Sequence, residues 1–257
     1  MHWYYYLAIG IIGIFSLYLF YYRNHKNLGP TFEEINARNY FFYEMSHNNQ
    51  IHEKNEMINL RKIPNHPFII RNNSNIKGNP FFVREETYHR LLEASKRLPP
   101  GYKIKLVDGY RSINTQAKLW NKTQKELLQQ KPSLKHASKR DFYKETEKWV
   151  APPKRHIAPH STGTALDMTI VNSKGKELNM GVPMGDMTKK AYTNSQNISL
   201  QAKENRQILI NAMQSAGFIN YDKEWWHWSY GDEIWSNVTK QPQIYPSVSN
   251  YPSSNKV

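Results

Sequence analysis

The sequence predicts an α+β fold, a single domain with a central antiparallel sheet flanked by helices, preceded by an N-terminal transmembrane helix. Three observations carry this expectation. The 257 residues are 39% apolar, enough to bury one sizeable core, and no linker divides them. Helical and strand-like patterns are mixed without a repeating βαβ alternation, which favours an antiparallel sheet over a parallel one. Finally, twenty residues from Trp3 to Tyr22, WYYYLAIGIIGIFSLYLFYY, carry no charge.

In chain order, that apolar run comes first. At about 1.5 Å per residue it covers roughly 30 Å, the thickness of a bilayer core. Tyr and Trp crowd both its ends, where amphipathic rings settle at headgroup level. A cleaved signal peptide would show a charged start and small residues before the cut, and neither is present, so residues 1–26 are expected to be an uncleaved anchor with its flank. Arg23, His25 and Lys26 favour a cytoplasmic domain by the positive-inside rule. Long domains nonetheless cross despite flanking charge, and a cytosolic enzyme has little use for a tether. The expectation is therefore a single-pass membrane protein whose catalytic domain lies outside the cytoplasm.

Residues 27–63 are polar and weakly periodic, and are expected to form a stalk merging into the domain edge. The domain proper is expected over 64–239. Arg84 to Leu98 reads as a helix, since Tyr88, Leu91, Leu92 and Ala94 fall on one side and Pro99, Pro100 and Gly101 stop it. Lys103 to Asp108 alternates as a strand, followed by a turn at Gly109. A second helix is expected from Ile113 to about Gln130, with Ala117, Trp120, Leu127 and Leu128 inward. The basic, Pro-containing segment up to Pro159 reads as a long loop over the site. TALDMTIV, Thr164 to Val171, is a strand pattern, and Asn172 to Met180 supplies a turn and a returning strand. A third helix covers Ser199 to Ala216, ended by Gly217. FINY and EWWHWSYG provide the last strands, and residues 240–257, rich in Pro, Ser and Asn, read as a disordered tail.

Composition narrows the chemistry. The formal net charge of +14 gives a surface that attracts polyanions, including anionic lipid and acidic cell-wall polymers. There is no zinc-finger spacing and no concentrated basic arm, so nucleic acid is not an expected partner. With no Cys there is neither a disulfide framework nor a thiolate nucleophile, and a metal site must be built from His, Asp and Glu.

Such a set can be assembled. Catalytic zinc takes three protein ligands and keeps a fourth position for water. In APHSTGTALD, His160 and Asp167 stand at the two ends of a loop-to-strand transition, with small Gly163 and Ala165 between them. EWWHW adds Glu224 and His227, three apart, so a bend is needed to aim both into one pocket. His227 would then be the third ligand and Glu224 the proton acceptor for the attacking water. Trp225, Trp226 and Trp228 would wall the pocket. Each fragment alone is a weak signal, since a His and an acid at this spacing arise by chance in a chain with ten histidines. Their combination beside two predicted strands is much stronger.

DGYRS (Asp108 to Ser112), VAPP (Val150 to Pro153), HSTGTALDMTI (His160 to Ile170) and EWWHWSYGD (Glu224 to Asp232) together resemble the VanX-like zinc D-alanyl-D-alanine dipeptidases of the wider D-Ala-D-Ala peptidase family, M15. The resemblance spans roughly Pro64 to Asn237. It implies one Zn2+ per chain held by His160, Asp167 and His227, with Glu224 as general base. It also implies that Arg111 reaches the scissile carbonyl oxygen, a role that the chemistry independently asks of a preorganised cation. The chain departs from the family twice. Ala158 stands where relatives bear a serine two residues before the first ligand. In MGVPMGD, Asp186 falls one position later than the family's amine-binding acid, with Gly185 in its place, so a substrate-binding role for Asp186 requires a one-residue loop adjustment.

The resemblance implies hydrolysis of D-Ala-D-Ala or a related D,D-dipeptide. One alternative keeps the zinc and acts on peptidoglycan stem peptides as a D,D-carboxypeptidase or endopeptidase. An alternative of another class is a non-catalytic cell-wall-binding module, which predicts no bound metal and salt-sensitive association with walls.

Overall fold

The computed structural model describes residues 56–72, 80–153 and 158–248. The predicted anchor and all but the last residues of the predicted stalk lie outside the described residues, as does 249–257 of the predicted tail. Among the described residues, no helix is long and apolar enough to cross a membrane.

The fold is α+β, with two sheets and five α-helices among the described residues. The first element, β1 (Met57–Asn59), pairs antiparallel with β3 (Phe82–Arg84) in a small two-stranded sheet. Strand order across the main sheet is β2-β4-β5-β7-β6, formed by β2 (Ile69–Ile70), β4 (Lys103–Asp108), β5 (Leu166–Val171), β6 (Ile219–Asn220) and β7 (His227–Ser229). The expected antiparallel sheet is corrected to a mixed one, because β2 runs parallel to β4 while every other pair is antiparallel. The reason is the crossover: between β2 and β4 the chain passes through β3 and the helix α1 (Glu85–Ser95), which gives it the length to return in the same direction.

Strand alternation separates the two faces of the main sheet. Ile104 and Leu106 of β4, Leu166, Met168 and Ile170 of β5, and Trp228 of β7 are all fully buried. They join Leu91 and Ala94 of α1, and Leu209 and Met213 of the helix α4 (Leu200–Ser215), in one core. The opposite face carries Lys105, Asp167, Thr169 and His227, and this is where the site forms. A bulge between Leu106 and Asp108 shifts the register so that Asp108, rather than Val107, lies opposite Asp167.

The helix α2 (Ile113–Gln130) has the expected bounds and is capped by Ser112, whose side chain accepts from the Thr115 amide. After it the predicted long loop is corrected to a 3₁₀ turn, Pro132–His136, and a helix α3 (Lys139–Glu147). The predicted returning strand after β5 shortens to one bridge, Val171 with Glu177, flanked by hydrogen bonds from the Asn172 amide to the Lys176 carbonyl and from the Leu178 amide to the Ile170 carbonyl. An unforeseen helix, α5 (Glu233–Thr239), follows β7. The predicted disordered tail is corrected over 240–248: Tyr245 is buried, and Ile244 and Tyr245 both donate their amides to the Gly231 carbonyl.

Candidate metal centre

Three elements deliver the site. His160 sits on a 3₁₀ turn, Pro159–Thr162, that opens on proline and closes on Gly163 at φ +80, a conformation glycine adopts without steric cost. Gly163 therefore shapes the turn. Asp167 stands on β5, and His227 faces it directly across the β5–β7 ladder. The expected bend in EWWHW takes the form of a turn before β7, in which the Glu224 amide bonds to the Tyr221 carbonyl and the His227 amide to the Glu224 carbonyl.

The ligand-type atoms of His160, Asp167 and His227 all lie within 4.8 Å of one another. Asp167 Oδ1 is 3.5 Å from His160 Nε2 and 3.0 Å from His227 Nδ1. Bonds of about 2.0–2.1 Å in a tetrahedral zinc site put neighbouring donor atoms roughly 3.3 Å apart, so this donor set has the right size and composition for such an ion. The His160 ring is oriented by its other nitrogen, since Nδ1 lies 2.8 Å from the Gly109 carbonyl oxygen and donates to it, which leaves the Nε2 lone pair facing Asp167. Gly109 is there for a steric reason: a Cβ on it would lie 2.8 Å from the Phe81 ring.

Charge is concentrated and buried. Burial alone would raise the Asp167 carboxyl, yet the His160 and His227 rings outweigh it and hold Asp167 far below the usual carboxylate range. Burial alone would lower His227, but its contact with Asp167 and the nearby Glu224 raise it instead. Glu224 is raised chiefly by burial, aided by the Asp167 charge and opposed by His227. A carboxylate poised in that way suits a proton acceptor.

Arg111 completes the cluster from the turn before α2. Its Nη2 pairs with Asp108 Oδ2 and its Nη1 donates to Gln116 Oε1 at 2.7 Å, while Gln116 is itself fixed by donating to the Ala151 carbonyl at 2.6 Å. Burial opposes the charged guanidinium, but Asp108, Asp167 and Glu224 together keep it more firmly protonated than usual. Asp108 and Gln116 were not singled out as site residues from the sequence. The bulge that aims Asp108 is invisible in a strand pattern, and Gln116 reads as a helix surface position until the fold brings Arg111 against it.

Asp186 is not brought into this cluster. It is partly exposed, and its carboxylate accepts from the Thr188 amide at 2.8 Å and the Thr188 hydroxyl at 2.5 Å, which lower its pKa. The tryptophans also divide: Trp228 points into the core, opposite His227, whereas Trp225 lines a cavity of about 400 Å³ together with Lys105, Val107, Thr169, Glu177 and Met180. Ala158 is buried beneath the His160 turn.

The sequence is 30% identical over 178 residues to a D-alanyl-D-alanine dipeptidase of Synechocystis sp., covering 61% of this chain and 72% of that protein. It is 30% identical over 144 residues to a D-alanyl-D-alanine dipeptidase of Enterococcus faecium, covering 53% of this chain and 66% of the relative. Among solved structures, a vancomycin-resistance D,D-pentapeptidase VanY mutant in complex with Zn(II) superposes with a TM-score of 0.37 at 19% identity, over 66% of this chain and 83% of that one. Residues 65–249, well over half the chain, match the profile of the D-ala-D-ala dipeptidase family, which is peptidase family M15, and the chain belongs to that family.

Proposed function

We propose that the chain is a zinc-dependent peptidase that hydrolyses D-Ala-D-Ala or a related D,D-dipeptide in cell-wall peptide metabolism. The observation that carries this reading is the convergence of His160, Asp167 and His227 on one point, with Arg111 tied to His160 and Glu224 to His227 by backbone hydrogen bonds. His160 Nε2, Asp167 Oδ1 and His227 Nδ1 are the atoms that would hold the ion. When bound, zinc supplies Lewis acidity that makes water a nucleophile at neutral pH. The chain's own groups do the remainder. The Glu224 carboxylate takes the proton of the attacking water and returns it to the leaving amine, and the Arg111 guanidinium faces the carbonyl oxygen as negative charge develops there. Asp108 and Gln116 hold that guanidinium in place before substrate arrives, so no reorganisation is needed during reaction.

The test is D-alanine release from D-Ala-D-Ala by the purified full chain with Zn2+. The Glu224→Gln variant is expected to bind Zn2+ as the wild type does and to lose turnover by at least about 10²-fold. Undiminished activity in that variant would remove the mechanism.

A second reading is favoured by the cavity beside the site. Thr169, two residues beyond Asp167 on the same face of β5, and Trp225, next to Glu224, both line the 400 Å³ space, which is more room than a dipeptide requires. Asp186, meanwhile, is engaged with Thr188 rather than turned towards the cluster as an amine partner. Both features suit a D,D-carboxypeptidase or endopeptidase acting on peptidoglycan stem peptides. Comparing D-Ala-D-Ala with its amino-blocked analogue and with a stem pentapeptide decides the matter, because only the dipeptidase needs the free amine.

A further inference from the structure

The cavity that Trp225 lines carries an unbalanced charge. Its ionisable lining residues are Arg71, Lys105 and Glu177, two cations and one carboxylate. Lys105 Nζ lies 2.5 Å from Glu177 Oε1, so these two neutralise each other. Arg71 is the surplus. Its main chain is fixed beside β4, with the amide donating to the Leu106 carbonyl at 2.8 Å and the carbonyl accepting from Arg61 Nη2 at 2.5 Å. The residue is exposed, and its guanidinium makes no ion pair among the described residues. Placement ties this charge to the cluster of His160, Asp167 and His227. Lys105 and Thr169, both lining the cavity, face each other across the β4–β5 ladder. Thr169 and Asp167 share one face of β5, two residues and about 7 Å apart. Arg71 lies farther out, just past the end of β2, and with strand order β2-β4-β5 its main chain is about 10 Å from β5. Leu178, Met184 and Trp225 give the same space apolar surface.

We propose that this cavity receives the acyl side of the substrate, and that Arg71 selects substrates whose acyl side carries a carboxylate about two residue lengths from the scissile carbonyl. The inference rests on the peptidase reading in its second form, in which the cleaved pair is extended at its amino side. A guanidinium presents two parallel N–H donors to a carboxylate and stays charged at every working pH. Glu177 is the competing recognition group, since an unpaired carboxylate there would select an amine instead. Its pairing with Lys105 removes that choice and leaves the cavity one positive charge in excess. Two extended residues span about 7 Å, the same step as that from Asp167 to Thr169. The chemical class that fits is a stem peptide with a free carboxylate just ahead of the cleaved pair.

The experiment compares kcat/KM of the full chain with Zn2+ on three acylated forms of D-Ala-D-Ala: N-acetyl, which is neutral, N-succinyl, which is anionic, and N-β-alanyl, which is cationic and of the same reach as succinyl. All three share the C-terminal carboxylate, so a difference among them reports the acyl side alone. The wild type is expected to prefer succinyl to acetyl by about 10-fold, the lower end for a hydrogen-bonded charge because Arg71 is exposed, and to take β-alanyl least. Raising the salt should shrink that preference. Arg71→Gln should flatten the order. Arg71→Glu leaves the cavity one negative charge in excess and should reverse it, a result that a merely structural role cannot produce. Equal losses on all three substrates in Arg71→Glu overturn the proposal, because Arg71 would then serve the shared carboxylate or the fold. A wild type indifferent to acyl charge, or a succinyl preference that survives Arg71→Glu, overturns it as well. Hydrolysis of free D-Ala-D-Ala but of none of the acylated forms overturns this inference alone, whereas hydrolysis of none of the four overturns the peptidase reading and this inference with it.

Discussion

Arg111 shows how much one side chain depends on its neighbours. Its planar fork meets Asp108 on one side and Gln116 on the other, a geometry that a lysine ammonium cannot reproduce. Arg111→Lys is therefore expected to behave nearly as badly as Arg111→Ala, each lowering kcat by about 10²–10³-fold with Zn2+ affinity retained, as steady-state kinetics and metal titration would reveal. The pair His227 and Asp167 makes a second prediction, for the metal-free protein. Asp167 is lowered on folding, so its contribution to stability is present above its ordinary pKa and is lost only in strong acid. His227 is raised on folding, so its contribution is complete below its ordinary pKa of about 6.5 and is lost as pH climbs through the higher folded value. Without metal, the melting temperature should therefore fall from mildly acid to alkaline pH, and saturating Zn2+ should reverse the trend, since binding requires His227 to be neutral. A metal-free protein whose melting temperature rises over that range would contradict the assigned contacts. At this scale the grouping of His160, Asp167 and His227 was readable because each sits in a short run of unusual residue types. The Gly109 carbonyl was not, since its contact with His160 depends on where the fold places a backbone oxygen.

Among the elements, β4 and α2 have the bounds that periodicity predicts, and α4 is shorter by one residue at each end, because Ser199 serves as its cap and Ala216 as its C-cap. Besides α5, the element missed was α3, KRDFYKETE, which has no apolar stripe to announce it. Its signal was local: Ser138 accepts from the Asp141 amide while the Asp141 carboxylate accepts from the Ser138 hydroxyl, a cap that precedes the helix in sequence. Tyr143 then packs with a tilted ring, centroids 5.0 Å apart, against Trp120 of α2, and Glu145 pairs with Lys131 and Lys148, which draws its pKa down to about 2. The loop that walls the cavity depends instead on α4. Arg206, only 2% exposed, donates to the carbonyls of Met180, Lys190, Tyr192 and Thr193, and burial pushes its pKa down to about 10. One guanidinium thus organises both ends of the 180–193 segment. Arg206→Met removes those donors and leaves buried carbonyls unsatisfied at roughly 1–3 kcal/mol each before relaxation. The expected result is a loss of about 3 kcal/mol or more in urea unfolding, with proteolysis beginning inside 180–193. Wild-type stability and protease resistance would show that the segment holds itself.

Across the whole molecule, the last described segment connects parts that are remote in sequence, and it is where the composition misled. A run rich in Pro, Ser and Asn has little apolar content, so a disordered tail was the natural expectation, but one aromatic ring and several backbone groups suffice to seat a strap. Tyr245 is 4% exposed, packs against Tyr230, and lies with its ring 5.3 Å from the Arg84 guanidinium carbon. Arg84 in turn donates to the Thr162 carbonyl at 2.8 Å and to the Pro246 carbonyl at 3.3 Å, joining the strap to the turn that carries His160. Beyond the ring, the Val248 amide donates to the Ser161 carbonyl at 2.7 Å, and the Tyr110 hydroxyl donates to the Val248 carbonyl at 3.0 Å. The strap therefore braces the His160 turn from outside the sheet, so its loss should be felt at the metal centre as well as in global stability. Truncating a buried aromatic side chain to alanine costs about 3–5 kcal/mol, and in a domain of this size each kcal/mol moves the melting temperature by about 2–4 °C. Tyr245→Ala is thus expected to lower the melting temperature by about 6–20 °C and to weaken Zn2+ binding, while Tyr245→Phe, which keeps the ring, changes both far less. If Tyr245→Ala lost stability but bound Zn2+ as tightly as the wild type, the strap would be a structural brace with no hold on the site. Unchanged stability would instead return this segment to the disordered tail that its composition suggests.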